Sequence, residues 1–531
     1  MLPGRTKWPS VTSSLRLSLR GVTFGGTGRP SSMLARLLLL AWLFAPCAVA
    51  EPGDLWKGLL PGPHGVGFQF QRSVDPSRNP DSMHVGTPLG LALWYPAAPS
   101  DAKTMTQIDY RLLEFSKPLD ASEKRDYIDQ QAAMMVAWRH IGIVPLTMDQ
   151  ARASFGASGR AVRDAARAEG KFPVVVILGG PWYLSTTAEF LASYGYLVVA
   201  CVRFRDVRSE IPSSDFRWFV ENSVRDAEWA LAELRRDPAA DIGNVTALGH
   251  GGGGMQALLL GMRDRQVTEV ASIDAAIFSA RTNPGQLIFF DPRLMRVPYL
   301  NILTSDTRRQ SDQYAGFEKM KFSRRYEVIL ENSELRHHDL SNVGRAVSAS
   351  LAIRGNSQNM VLRTFADVQA MLLQFLEANR RQESGPFTLW LQRLGSDAGY
   401  TVAVRDGIET APALYDVLTA IEDWTPEHLR EAYRRDAEAE VFSEDALLQI
   451  LAAARSHDAR SALGVALFAT EIQPKSIQVL RLASSVAELA RNGTTARDLA
   501  NRCVEMEIQD GDWRAQAAHE ECRERAARLN Q

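Results

Sequence analysis

The chain has 531 residues, 45% of them hydrophobic, and a net charge of −2. That length leaves room for one large domain and a smaller one with ordinary globular cores. The near-neutral balance gives no reason to expect a nucleic-acid partner.

The first fifty residues carry Arg5, Lys7, Arg16, Arg20, Arg29 and Arg36 and no acidic residue. Met33-Leu-Ala-Arg36 leads into Leu37-Leu-Leu-Leu-Ala-Trp-Leu-Phe44 and ends in Ala48-Val-Ala50. A basic start, a short apolar run and small residues at a cleavage site predict a signal peptide cut after Ala50, hence a periplasmic or secreted protein. The apolar run is too short to span a bilayer comfortably, and no transmembrane span is expected in the mature chain.

Residues 51–118 mix Pro and Gly with short β-type runs such as Leu89-Gly-Leu-Ala-Leu-Trp-Tyr95. Asp120 with Glu123 reads as a capping box for a helix to about His140, and 148–170 reads as a second helix. Together they form an insertion placed to act as a lid. Val174–Leu178 and Leu197–Val202 are strand-like, with a helix around Thr187–Tyr194 between them and another over 216–236. Apolar strands alternating with helices predict a mostly parallel sheet with helices on both faces.

Val245-Thr-Ala-Leu248 then runs into Gly249-His250-Gly251-Gly252-Gly253-Gly254 and the helix-like Met255–Met262. A strand, a tight glycine turn and a helix in G-x-S-x-G form make a nucleophile elbow, which presents a strained serine to substrate. The serine position is Gly251 in this chain. Downstream, Asp274 closes the strand-like Val267–Ile273, and His337 follows the strand-like Tyr326–Leu330. Nucleophile, acid, histidine is the chain order of a hydrolase triad.

These residues, with Gly62-Pro63 through Gly67-Phe68, Leu93-Trp94-Tyr95-Pro96, Ser193-Tyr-Gly-Tyr196 and Ser272-Ile-Asp274, resemble the α/β-hydrolases related to platelet-activating-factor acetylhydrolase and dienelactone hydrolase. The resemblance covers about residues 55–380. It implies antiparallel strands ahead of the parallel core, an oxyanion hole from the amides of Gly252 and of Gly180 in Gly179-Gly180-Pro181-Trp182, and roles for Asp274 and His337 as acid and base.

Val297–Leu303 and Tyr326–Leu330 supply the last expected strands, Phe365–Leu376 a closing helix, and Arg380–Pro386 a linker. From about 387 helices alone are expected. Ile477–Arg491 and Thr495–Ile508, joined at Asn492-Gly493 and preceded by Pro474, resemble a tetratricopeptide repeat. A helical appendage on the hydrolase domain explains the same pattern. Cys503 and Cys522 have the option of pairing in an oxidising compartment, while Cys201 reads as a core residue.

The expected organisation is an N-terminal extension and signal over 1–50, an α/β-hydrolase-like domain over 51–380, and an all-α, tetratricopeptide-like domain over 387–531. No cofactor or metal is expected. Without a serine hydroxyl at position 251, serine-hydrolase rates fall by about 10⁶. The chain therefore reads as a binder of a small acyl-ester-like ligand, or of a protein partner through its helical domain, rather than a working esterase.

Several alternatives stay open. Asp274 and His337 activate a water, or Ser185 or Ser341 serves as a displaced nucleophile, or the loop is shifted so that His338 replaces His337. Gly249-x-Gly251-x-x-Gly254 with Asp274 also matches a dinucleotide-binding fingerprint. His250 reads as a packing residue, and Gly251→Ser is expected to place a hydroxyl within reach of the imidazole.

Overall fold

The computed structural model describes residues 53–78, 86–137, 146–205, 216–275, 287, 290–310, 317–350, 356–508 and 512–531. The signal-peptide reading over 1–50, and the last residues of the helix expected to reach His140, lie outside them.

Among the described residues eleven strands form one sheet in the order β11-β10-β9-β8-β7-β5-β6-β2-β1-β4-β3. They are β1 Gly65–Asp75, β2 Thr87–Ala97, β3 Thr104–Thr106, β4 Ser158–Arg163, β5 Phe172–Leu178, β6 Leu197–Arg203, β7 Ala240–His250, β8 Glu269–Ile273, β9 Tyr299–Thr304, β10 Arg325–Leu330 and β11 Tyr400–Arg405. The run from β6 through β5, β7, β8 and β9 to β10 is parallel throughout. β1 and β2 pair antiparallel and join this run through β6.

The central strands are apolar on both faces because both faces are covered. Along β5, Val174, Val176 and Leu178 pack in one core with Val220, Ala230 and Leu258. Val175 and Ile177 pack in the other with Leu191, Phe365 and Leu372. That alternation puts the helices Phe216–Leu234 and Gly252–Arg263 on one face and Ser185–Ser193 and Asn356–Arg380 on the other.

Two expectations need correction. The helix expected over 148–170 ends at Ser154, and Ser158–Arg163 is strand β4, paired with β1 and β3. Ala and Arg favour helix locally, but here sheet pairing decides. A Cβ on Gly159 would also sit 2.2 Å from a Glu189 carboxylate oxygen, a contact only glycine allows. Helices alone do not follow 387 either. The linker expected over Arg380–Pro386 is only the turn 381–383 between the helices Asn356–Arg380 and Ser384–Leu394, after which β11 pairs antiparallel with β10 and adds an edge strand. Beyond it the chain is helical, with a core of its own from Val417 to Cys522.

The helices Ala121–Ala137 and Met148–Ser154 share a small apolar cluster with the helix Asn342–Ser350. Tyr127, Met135, Ala151, Phe155, Val343 and Val347 are buried in it, and Tyr183 packs against it. The insertion thus rests on the helix that follows His337 and on a residue beside the glycine turn.

Candidate active site

β7 is flanked by β5 and β8, so its end opens near the middle of the parallel run. There the chain turns through Gly251, at φ 56° and ψ −123°, straight into the helix Gly252–Arg263. A positive φ with that ψ is costly for any residue with a Cβ and free for glycine. The flanking glycines are required by space. A Cβ on Gly249 would lie 2.0 Å from the Gly253 carbonyl oxygen, and one on Gly253 2.3 Å from that of Leu178.

Parallel pairing of β7, β8 and β9 brings their C-terminal ends side by side, which is where open α/β sheets collect functional groups. Asp274 follows β8 with φ 49° and is buried. Its Oδ1 accepts hydrogen bonds from the Thr304 amide at 2.7 Å and the Thr304 hydroxyl at 2.8 Å. Its Oδ2 accepts from the Thr307 hydroxyl at 2.9 Å and lies 2.9 Å from His337 Nδ1. Burial alone would raise this carboxyl. The bond and charge of His337 and the Thr304 amide outweigh burial and hold it below the ordinary carboxylate range. An ionised Asp274 accepts from Nδ1–H, so in this tautomer the ring's lone pair is on Nε2.

The ring edge that carries that lone pair faces Gly251. A Cβ placed on Gly251 would stand 2.8 Å from His337 Nε2 and 2.7 Å from Cε1. Both are closer than side-chain carbons pack, so the imidazole has settled into the volume a serine would fill. The expectation that a serine at 251 would simply find the imidazole within reach is corrected to this extent: the ring must first withdraw.

His250 and His338 line the site without joining the Asp274 pair. The His250 ring stacks on His337 at 4.3 Å between centroids, and its Nε2 donates to the His337 carbonyl at 3.1 Å. Burial, and then the neighbouring His337, push the His250 pKa down to about 3. Burial likewise takes His338 down to about 4, and its ring lies parallel to Tyr183 at 6.2 Å. Both rings are neutral walls at ordinary pH. The register is therefore the one with His337 on Asp274, and the shifted alternative with His338 does not occur.

Neither displaced serine meets the imidazole. Ser185 is fully buried, and its Oγ accepts from Asn342 Nδ2 at 2.7 Å. Ser341, also buried, donates its hydroxyl to the His338 carbonyl at 2.8 Å. The dinucleotide alternative loses its acidic residue, because both Asp274 oxygens are engaged by Thr304, Thr307 and His337.

Gly179 and Gly180 follow β5 directly, beside the start of the glycine helix. A Cβ on Gly179 would touch the Gly253 Cα at 3.6 Å. Among the described residues the amides of Gly252 and Gly180 have no protein acceptor. Among the described residues a Cβ on Gly252 would meet nothing within 4 Å, so among them the space beside it is open. Among the same residues no group of His, Cys, Asp and Glu is arranged to hold a metal ion. Thr304 and Thr307 were not foreseen as site residues. Their signal was the parallel pairing itself, since a residue just past β8 must face the end of β9.

No protein-family model matches the chain, and no curated protein matches it. Among solved structures it is similar to a ferulic acid esterase from Streptomyces cinnamoneus, at 19% identity over 58% of this chain and 88% of that one, with a TM-score of 0.39.

Proposed function

We propose that the chain has an α/β-hydrolase fold whose serine has been replaced by Gly251, and that it holds a small acyl-ester-like ligand without turning over ordinary alkyl esters. One observation carries this reading: Asp274 and His337 are hydrogen-bonded at 2.9 Å over a glycine elbow that offers no hydroxyl. The Asp–His pair and two uncommitted amides are the parts of an acyl-transfer site that orient an imidazole and receive an oxyanion. Without the attacking oxygen they retain binding and a residue of catalysis about 10³–10⁴ over water.

The buried Cys503–Cys522 disulfide, with Cα atoms 6.1 Å apart, favours an oxidising compartment, as does the signal pattern ending at Ala50. Five helices from Glu444 to Leu529 pack each on the next, which suits a tetratricopeptide-like array offering a surface to a protein partner.

The test is steady-state hydrolysis of short alkyl esters such as ethyl acetate by the full chain. We expect none above the buffer rate. Rapid turnover that disappears in His337→Ala would overturn the reading.

A further inference from the structure

The geometry points to His337 Nε2 as a nucleophile in its own right, one that takes acyl groups from esters with good leaving groups: aryl esters, enol esters and thioesters. The inference rests on the preceding reading of the site and names the one reaction left to it. Three observations converge. Among the described residues Nε2 makes no hydrogen bond, and the His337 side chain is 34% exposed, so its lone pair is both free and reachable. The nitrogen lies 2.8 Å from the point a serine Cβ would occupy, so it stands in the volume of the missing side chain. Beside it lie the open space at Gly252 and the uncommitted amides of Gly252 and Gly180.

The step balances with no further reactant than water. The Nε2 lone pair forms a bond to the acyl carbon, and the carbonyl electron pair moves onto oxygen, toward the two amides. Collapse re-forms the carbonyl and breaks the bond to the leaving group, which departs as aryloxide, enolate or thiolate with its electron pair. The acylated imidazole is then a cation, balanced by the buried Asp274 carboxylate on Nδ1. Water attacks the acyl carbon, the Nε2–carbon bond breaks with its electrons returning to the ring, and the products are a carboxylic acid and the protonated leaving group.

Leaving-group basicity sets the substrate class. In the tetrahedral adduct the imidazole competes with the ester oxygen for expulsion, and the weaker base leaves. An alkoxide is far more basic than imidazole, so an alkyl ester adduct collapses back to reactants. A phenolate or thiolate is far less basic than an alkoxide, and the closer it comes to imidazole, as p-nitrophenolate does, the larger the share that leaves forward. A serine nucleophile has no such restriction, because its own alkoxide is about as basic as an alkyl leaving group and the imidazolium protonates the latter as it departs.

The experiment mixes the full chain with excess p-nitrophenyl acetate, follows p-nitrophenolate release, quenches in acid and maps the acetyl group by mass spectrometry. The expected result is one acetyl group on His337, removed by hydroxylamine, and no reaction with ethyl acetate. His337→Gln should lower the labelling rate by about 100-fold. Asp274→Asn should slow it and change its pH profile, because the imidazole loses its tautomer and its counter-charge. Peptide mapping needs only the wild-type protein, so a variant that fails to fold does not spare the proposal. Phenolate release with no acyl protein, and a solvent isotope effect of about 2 or more, would overturn it in favour of water activated by the same pair. Acetyl found only on lysine or serine, or an inert aryl ester, would overturn it as well. In each of those cases the absence of alkyl-ester turnover still stands with the ligand-holding reading. Fast ethyl acetate hydrolysis lost in His337→Ala would instead sink that reading.

Discussion

Replacing Gly251 by serine tests the site most directly, because the structure sets both its cost and its gain. The new Cβ enters at 2.7–2.8 Å from the His337 ring edge, so the ring must retreat by roughly 0.6 Å to reach ordinary contact. It has somewhere to go, since a third of the side chain is exposed, but retreat strains the 2.9 Å bond to an Asp274 fixed by two threonines. Serine must also accept φ 56°, which costs about 1–3 kcal/mol. With the displaced ring, Gly251→Ser should lose about 2–4 kcal/mol of stability. Gly251→Ala carries the same Cβ and should lose the same amount. The two variants differ only in the hydroxyl, so urea unfolding should not separate them, whereas fluorophosphonate labelling should mark serine alone. Alkyl ester hydrolysis should appear only in the serine variant. A serine variant as stable as wild type would refute the claim that the imidazole fills the serine's volume. A variant that keeps the low-field Nδ1 proton signal of the Asp274–His337 bond, yet neither labels nor hydrolyses, would refute the claim that the elbow still aims at the imidazole.

Acid should destabilise the fold well above the carboxylate range. His250 is held neutral down to about pH 3 and His338 to about 4, against 6.5 for an ordinary imidazole. Lowered folded-state values mean that the unfolded chain binds the extra protons, so stability is full above pH 6.5 and falls as pH drops below it. By pH 5 each ring costs about 2 kcal/mol, and His250→Gln should flatten that part of a urea-midpoint profile taken from pH 7 to 5. A profile level from 7 to 5 in wild type would contradict the buried neutral rings. In the glycine turn, Gly253→Ala should unfold or gravely weaken the protein, because its Cβ meets the Leu178 carbonyl at 2.3 Å, while Gly252→Ala should fold normally with nothing within 4 Å. Thermal melts of the pair decide it, and equal melts would refute the packing argument. Removing the disulfide with Cys503→Ala and Cys522→Ala opens a crosslink across 19 residues and should cost about 3 kcal/mol. Helical content followed by circular dichroism in urea checks this, and an unchanged midpoint would refute it.

Much of the parallel core was legible because its strands are short apolar runs buried on both sides, as in Val174–Leu178 and Leu197–Val202. β4 and β11 were not. Ser158-Gly-Arg-Ala-Val-Arg163 and Tyr400-Thr-Val-Ala-Val-Arg405 lie toward opposite edges of the sheet and carry arginines and half-exposed positions. They form because a neighbouring strand offers unpaired backbone groups, and that information resides in the partner strand. Gly251, Asp274 and His337 could be named from chain order and flanking strands, and the folded chain does bring the three together. The position of the ring over Gly251 was not readable, because it depends on a contact between residues 86 positions apart.

The glycine and the displaced ring belong together. A serine in the elbow carries strained backbone angles and keeps the imidazole at hydrogen-bonding distance, outside the Cβ contact shell. Glycine at 251 removes both constraints, since its backbone adopts φ 56° freely and nothing repels the ring. The imidazole edge lies where the serine's Cβ would be, while its Nδ1 stays bonded to Asp274 and its face stays stacked on His250. That position closes the serine's volume and puts the unbonded Nε2 at the glycine turn that begins the helix Gly252–Arg263. A site vacated by serine would admit any ligand that fits. A site occupied by an unbonded Nε2 favours ligands with an electrophilic carbon at that point. Comparing the affinity of an acyl ester with that of its ether analogue separates the two. A carbonyl preference lost in His337→Gln supports the occupied site, and equal affinities in wild type refute it.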